Sequence, residues 1–172
     1  ANNLIHDSDI NGILLNYRDI TDRKEKENEI QYLNYHDVLT GLNNRRFFKE
    51  KLKQLNIASQ LPLSVIIADI NGLRHINETF GHARGDDLII AVSQVIKSCI
   101  RKQDILTRTG GDEFSILLPN TNNEDANKVM KRIEQACKDY SIHVIYQTSI
   151  SFGCATKTEQ NEEINDIVKR AE

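Results

Sequence analysis

The sequence predicts an α/β sandwich built on a mixed sheet, and three observations carry that prediction. Apolar, strand-like runs alternate with stretches of helical spacing. Two of the runs, Ile105–Arg108 and Phe114–Leu118, are joined through Gly110-Gly111 as a hairpin. Leu63–Ile70 is apolar almost throughout, as a central strand covered on both faces must be. Strands separated by helices around one hairpin favour layered α/β packing. At 172 residues there is room for one full domain and little of a second.

Taken in order, residues 10–20 read as a strand entered through a turn at Asn11-Gly12, with Asn3–His6 as its candidate hairpin partner. Two strands bury no core by themselves, so this segment reads as the end of another structure. At Thr21 the composition turns charged, with Thr21 or Asp22 placed as an N-cap. Ile30, Leu33 and Tyr35 form only a thin stripe, which fits a solvated linker or one half of a coiled coil. Asn44–Ile57 is helical, with Phe48, Leu52 and Leu55 on one face, and Asp86–Ile100 is strongly amphipathic. Glu124–Lys138 is a further helix. Thr148–Ala155 alternates as a half-buried strand, and Asn161–Glu172 begins a last helix.

Composition narrows the function. Hydrophobic residues make up 39% and charged residues 27%, with a net charge of −3. No broad basic field attracts nucleic acid or anionic lipid, so templated polymerisation is disfavoured. Three widely spaced cysteines and the absence of a targeting-like or membrane-length apolar run predict reduced thiols in a soluble, cytoplasmic chain.

The chemistry concentrates in two places. In Thr109-Gly110-Gly111-Asp112-Glu113-Phe114, the glycines permit positive φ and close approach of a ligand, and the adjacent acids should face opposite ways. Taken alone, that stretch is better explained as a plain hairpin turn, where Gly and Asp are favoured anyway. Asp69 ends a strand that otherwise reads as buried, and a carboxylate there asks for a partner or a metal. Asn71-Gly72 then breaks the strand and offers exposed amides to an anion. Asp86 and Asp87 read as first-turn helix residues, which the helix dipole favours.

Residue by residue, the sequence resembles the GGDEF domains of diguanylate cyclases. Asp37-Val38-Leu39-Thr40-Gly41-Leu42-Asn43-Asn44-Arg45-Arg46 is similar to the family's opening signature. Asp69-Ile70-Asn71 through Ile76-Asn77, then Gly81-His82 and Gly85-Asp86, follow its second block in order and spacing. Arg108 and Gly110–Phe114 give its name motif, and Thr148–Ala155 its late strand. The resemblance implies a mostly antiparallel central sheet flanked by helices, related to nucleotide cyclases and polymerase palms. It implies condensation of two GTP molecules into cyclic di-GMP across a homodimer.

By that resemblance, Asp69, the carbonyl of Ile70 and Asp112 hold Mg²⁺, with Mn²⁺ as a substitute. Asp69, Asp112 and Glu113 form the catalytic set, and either Asp112 or Glu113 assists deprotonation of the attacking hydroxyl. Asn77 and Asp86 read guanine, whose edge offers an acceptor and donors to an amide and a carboxylate. Asn71, Gly72, Leu73, Arg74, Gly110 and Gly111 line the rest of the substrate site. Arg101 and Asp104, five residues or more before the glycines, resemble the site where the product docks as inhibitor.

Gly12-Ile13-Leu14-Leu15-Asn16-Tyr17-Arg18-Asp19-Ile20-Thr21-Asp22-Arg23-Lys24 resembles the closing strand and exit motif of a PAS sensor domain. The implied organisation is PAS tail to residue 21, helical linker 22–36, and a GGDEF domain over 37–172. In the family the last helix continues with a Lys and an Arg that grip the GTP phosphates. The sequence stops at Glu172, which predicts weak GTP binding or slow turnover. Asn71, Leu73, Arg74 and Glu78 stand where Asp, Phe, Lys and Asp are usual. Two other readings keep the same fold: a catalytically silent module sensing GTP or cyclic di-GMP, and a connector passing a PAS signal to another effector.

Overall fold

The computed structural model describes residues 2–4, 12–14, 24, 29–30, 32–141 and 149–172. The chain divides into two compact units, Ala1–Tyr32 and Leu33–Glu172. In the first, β1 (Asn2–Leu4) pairs antiparallel with β2 (Gly12–Leu14). Gly12 lies inside this ladder opposite Leu4 rather than in a turn. The expected N-cap at Thr21 or Asp22 and the rest of the 10–20 strand lie outside the described residues. Lys24, Glu29 and Ile30 are helical in this unit, and residues 32–35 are also helical.

The second unit carries the core. Its elements are β3 (Asn43–Asn44), α1 (Arg45–Leu55), β4 (Leu63–Asn71), α2 (Leu73–Phe80), α3 (His82–Ser98), β5 (Ile105–Arg108), β6 (Glu113–Leu118), α4 (Asn123–Ser141), β7 (Ser149–Lys157) and α5 (Ile164–Ala171). The five-stranded sheet has the order β3-β5-β6-β4-β7. Only β3 and β5 run parallel; the other neighbours are antiparallel, as the sequence led one to expect.

The apolar run of β4 resolves into two faces. Ile66, Ala68 and Ile70 pack with Leu88, Val92 and Ile96 of α3 and Val129 and Ile133 of α4. Leu63 and Val65 pack with Phe48 and Leu52 of α1 and Ile164 and Ile167 of α5. Alternate side chains of a strand point to opposite faces, so one run serves both layers. Cys99 and Cys137 are buried in the first layer. Burial, with the neighbouring Cys99, pushes the Cys137 thiol up to about 11, so it stays protonated.

Four readings need correcting. A short helix, α2, fills the stretch after Asn71 and was not anticipated. Eight residues bracketed by glycines give a weak periodic signal, and the helix survives because Leu73 and Ile76 are buried. Helix α3 begins at His82, not at Asp86, so Asp86 lies in its second turn and its first turn holds no acidic residue. The dipole therefore gives no account of Asp86. The final helix starts at Ile164 rather than Asn161. Neither Gly110 nor Gly111 takes positive φ; the left-handed glycines are Gly41, Gly72 and Gly81.

Lys157 is fully buried at the end of β7. Its Nζ donates to Asn56 Oδ1 at 2.5 Å and to the carbonyls of Gln160 and Glu162 at 3.1 and 2.7 Å. Three acceptors offset the desolvation of the ammonium and tie the β7–α5 loop to the end of α1. Among the described residues, no helix is long and apolar enough to cross a membrane.

Candidate active site

Asp69 sits directly opposite Glu113 in the β4–β6 ladder. One step further on, the Ile70 N–H donates to the carbonyl of Asp112 at 3.1 Å. The turn closes when Thr109 and Gly110 donate their N–H groups to the Glu113 carbonyl at 2.9 and 3.3 Å. Residues distant in sequence are thereby brought to one strand end. Burial, reinforced by the charges of Asp112 and Glu113, raises the Asp69 carboxyl above its ordinary range. That crowding of negative charge is what a bound cation relieves. Among the described residues, no group of three or more His, Cys, Asp and Glu side chains is arranged to hold a metal alone. The carboxylates suit Mg²⁺ in its usual form, where one or two protein oxygens are completed by phosphates and water.

The two neighbouring acids line different clefts. Asp112 shares a cleft of about 550 Å³ with Leu73, Arg74, Asn77, Asp86 and Gly111. Glu113 lines another of about 460 Å³ with Thr109, Ser115, Arg45, Lys49 and Lys169. Helices α2 and α3 meet at Gly81, whose φ of 85° lets the chain turn sharply between them. Asn77 and Asp86 thus come to the same cleft from two helices. Asn77 Oδ1 is buried and has no hydrogen-bond partner, an unmet acceptor beside that cleft. Its place is made by Gly85, where an added Cβ would lie 1.9 Å from Asn77 Oδ1.

Other expected substrate residues are already engaged. Arg74 is exposed and pairs with Glu78 at 2.8 Å. Asn71 donates through Nδ2 to Ser149 Oγ and accepts at Oδ1 from Ser151 Oγ, both at 3.0 Å. Its side chain is therefore tied to β7. Gly72, with φ of 77°, starts α2 with no side-chain cap, leaving the first amides of the helix unfilled by a side chain. No added Cβ at Gly111 would meet an atom within 4 Å, so the turn is open there, while one at Gly110 would meet Glu113 Cβ at 3.1 Å.

The ion pair that holds this turn was not assigned a role by sequence reasoning. Arg108 Nη1 donates to both oxygens of Asp37 at 3.0 and 3.2 Å, and its Nε and Nη2 donate to the Gly111 carbonyl at 3.2 and 2.7 Å. A guanidinium suits this two-sided grip. Its partners lie 71 positions apart in one case, so no local pattern reveals the pair. Burial alone would raise the Asp37 carboxyl, but the hydroxyl and N–H of Thr40, with Arg108, hold it below the usual range. A lowered carboxyl contributes stability above the unfolded value of 3.8, and that contribution is lost as pH falls through the folded value. Thermal melts of Asp37→Asn against the parent chain should therefore differ most near neutrality. The gap should shrink steadily as pH falls below 3.8.

Arg101 and Asp104 lie at the opposite end of β5 from the turn. Asp104 Oδ2 accepts from the Arg101 N–H at 2.7 Å, while Oδ1 is buried without a partner. Burial raises the Asp104 carboxyl, opposed by the Arg101 N–H and the charges of Arg101 and Arg132. Arg132 itself is anchored on the Cys99 carbonyl. Arg101 and Asp104 border a cavity of about 540 Å³ with Lys97 and Lys102.

Fold and site together define a small α/β domain whose acidic strand end lies between two clefts, one lined by Asp112 and the other by Glu113. Residues 34–172 match the family described as "Diguanylate cyclase, GGDEF domain", and the chain belongs to that family. Diguanylate cyclase DgcM of Escherichia coli is 34% identical over 157 residues, 90% of this chain and 38% of its own length. The chain thus spans well under half of that relative. Among solved structures, diguanylate cyclase SiaD in complex with its activator SiaC from Pseudomonas aeruginosa superposes with a TM-score of 0.73 at 28% identity. That match covers 88% of this chain and 62% of that one. The coiled coil and GGDEF domain of DgcB from Caulobacter crescentus, in complex with c-di-GMP, matches at a TM-score of 0.77. It covers 88% of this chain and 84% of that one, and at 20% identity it supports the fold alone.

Proposed function

We propose that the chain condenses two molecules of GTP into cyclic di-GMP and two of pyrophosphate, as a diguanylate cyclase. The observation that carries this reading is the meeting of Asp69 with Asp112 and Glu113 beside a cleft that holds an unmet Asn77 acceptor. The guanine would lie between Asn77 and Asp86, with the carboxylate accepting from the ring N–H and exocyclic amine. Its phosphates would run over Asn71, Gly72, Leu73 and Arg74, where the uncapped start of α2 offers amides to an anion. Asp69, the carbonyl of Ile70 and Asp112 would hold Mg²⁺, or Mn²⁺ in its place, which when bound orients the α-phosphate and offsets charge as pyrophosphate leaves.

In each condensation the 3′-hydroxyl of one GTP attacks the α-phosphorus of the other; the new O–P bond forms as the bond to pyrophosphate breaks. Glu113 or Asp112 takes up the hydroxyl proton. The two substrates lie on facing copies of the domain, so the working unit is a homodimer. Arg101 and Asp104 would bind cyclic di-GMP as an inhibitor away from this centre. Residues 1–21 are read as the tail of a PAS sensor and 22–36 as the linker through which it acts.

Incubating the chain with GTP and Mg²⁺, followed by chromatography for cyclic di-GMP, tests the reading. Product supports it. Bound GTP with no product would make the chain a silent sensor instead. Within the same reading, Gly85→Ala should raise KM for GTP about tenfold or more with a smaller change in kcat. The new methyl displaces the Asn77 carboxamide from the cleft. Steady-state kinetics with GTP as the varied substrate measures the split.

A further inference from the structure

The Glu113 carboxylate is fastened from the side by two hydroxyls in series. Thr109 Oγ1 lies 2.5 Å from Glu113 Oε1, and the same oxygen lies 2.9 Å from Ser115 Oγ. An ionised carboxylate only accepts, so Thr109 must donate to Glu113. Its lone pairs are then left to accept the Ser115 proton. The direction Ser115 to Thr109 to Glu113 follows from chemistry alone, and hydroxyls in series polarise one another. Both anchors are firm. Ser115 is buried in β6, its carbonyl receives the Thr107 hydroxyl at 2.9 Å, and Thr109 is bound through its own N–H to the Glu113 carbonyl. The backbone closes the turn without help from the Thr109 side chain. The hydroxyl is therefore free for a second task.

We propose that Thr109 is a positioning residue for Glu113. It pins Oε1, with Ser115 behind it, and so leaves Oε2 as the oxygen that meets the reacting groups. This rests on the reading of the site as one that condenses GTP. A carboxylate free to rotate would present its oxygens in several arrangements; one held by a β-branched side chain presents a single one.

Thr109→Val keeps the shape and backbone bond and removes only the hydroxyl. It should lower kcat roughly tenfold, the effect of one hydrogen bond to a charged group, and leave KM for GTP unchanged. Thr109→Ser should restore most of the loss. In carbon-13 NMR the Glu113 carboxyl resonance should move in Thr109→Val and return in Thr109→Ser. Unchanged kcat together with an unmoved resonance in Thr109→Val overturns the proposal. A parent chain that makes no cyclic di-GMP refutes the cyclase reading, and the resonance still decides whether Thr109 holds Glu113. If Thr109→Val does not fold, Ser115→Ala replaces it. It should move the resonance the same way by less, and no movement there also overturns the proposal.

Discussion

Asp112→Asn should reduce cyclic di-GMP formation about a thousandfold while leaving the fold intact. The size follows from losing a charged ligand that would hold the divalent cation at the α-phosphate, an electrostatic contribution of about 4 kcal/mol in comparable sites. The fold is expected to hold because the Asp112 group bonded to Ile70 is the backbone carbonyl, which the substitution keeps. Stability should even rise a little, since one of the charges that raise the Asp69 carboxyl is gone. KM should change less than kcat, because Asn77 and Asp86 are untouched. Initial rates by chromatography, with melting curves on the same samples, check both halves. A variant that keeps a tenth of the parent rate would exclude Asp112 from the chemistry.

The largest effect on stability is expected at Gly153. It lies in β7 opposite Ile67, and a Cβ there would sit 1.8 Å from the carbonyl oxygen of Ala171. The obstacle is backbone, so no side-chain rotation relieves it. Gly153→Ala forces the end of α5 off the sheet and loosens the burial of Ile167 and Ala171, now 1% exposed each. Overpacking of this kind costs about 3 kcal/mol, or roughly 6–12 °C in Tm for a chain of this size. Differential scanning calorimetry measures it. A shift below about 2 °C would mean that the α5–β7 contact contributes little to the folded state.

How much of this was legible in the sequence depends on the distance over which each signal acts. Helix α1 was readable because Phe48 and Leu52 repeat at helical spacing, though Asn44 proves to be its N-cap rather than its first residue. The β4 run announced a buried strand, though not that odd and even positions feed different layers. The start of α3 was misplaced because Asp86 and Asp87 look like first-turn residues, whereas Gly81 makes the entry by its backbone conformation. Asp69 stood out as an acid at the end of a buried strand, while Asp112 and Glu113 stood out only through the motif they share with the family. That Asp69 faces Glu113 is a matter of register, which no composition carries. The grip of Arg108 on Asp37 and on Gly111 was invisible for the same reason, and so was the fastening of Asn71 to the serines of β7.

The carboxamide of Asn44 does two jobs. Oδ1 accepts from the N–H groups of Arg46 and Phe47, and Nδ2 donates to the carbonyls of Leu33, Asn34 and His36. Asn44 is also the β3 partner of Arg108 in the parallel pair. The segment entering the domain is thus bolted to the first turn of α1 and, one strand over, to the arginine that steadies the glycine turn. There is little slack in that linkage. A twist applied at residues 33–36 would therefore strain the hydrogen bonds by which Asn44 joins this segment to the first turn of α1.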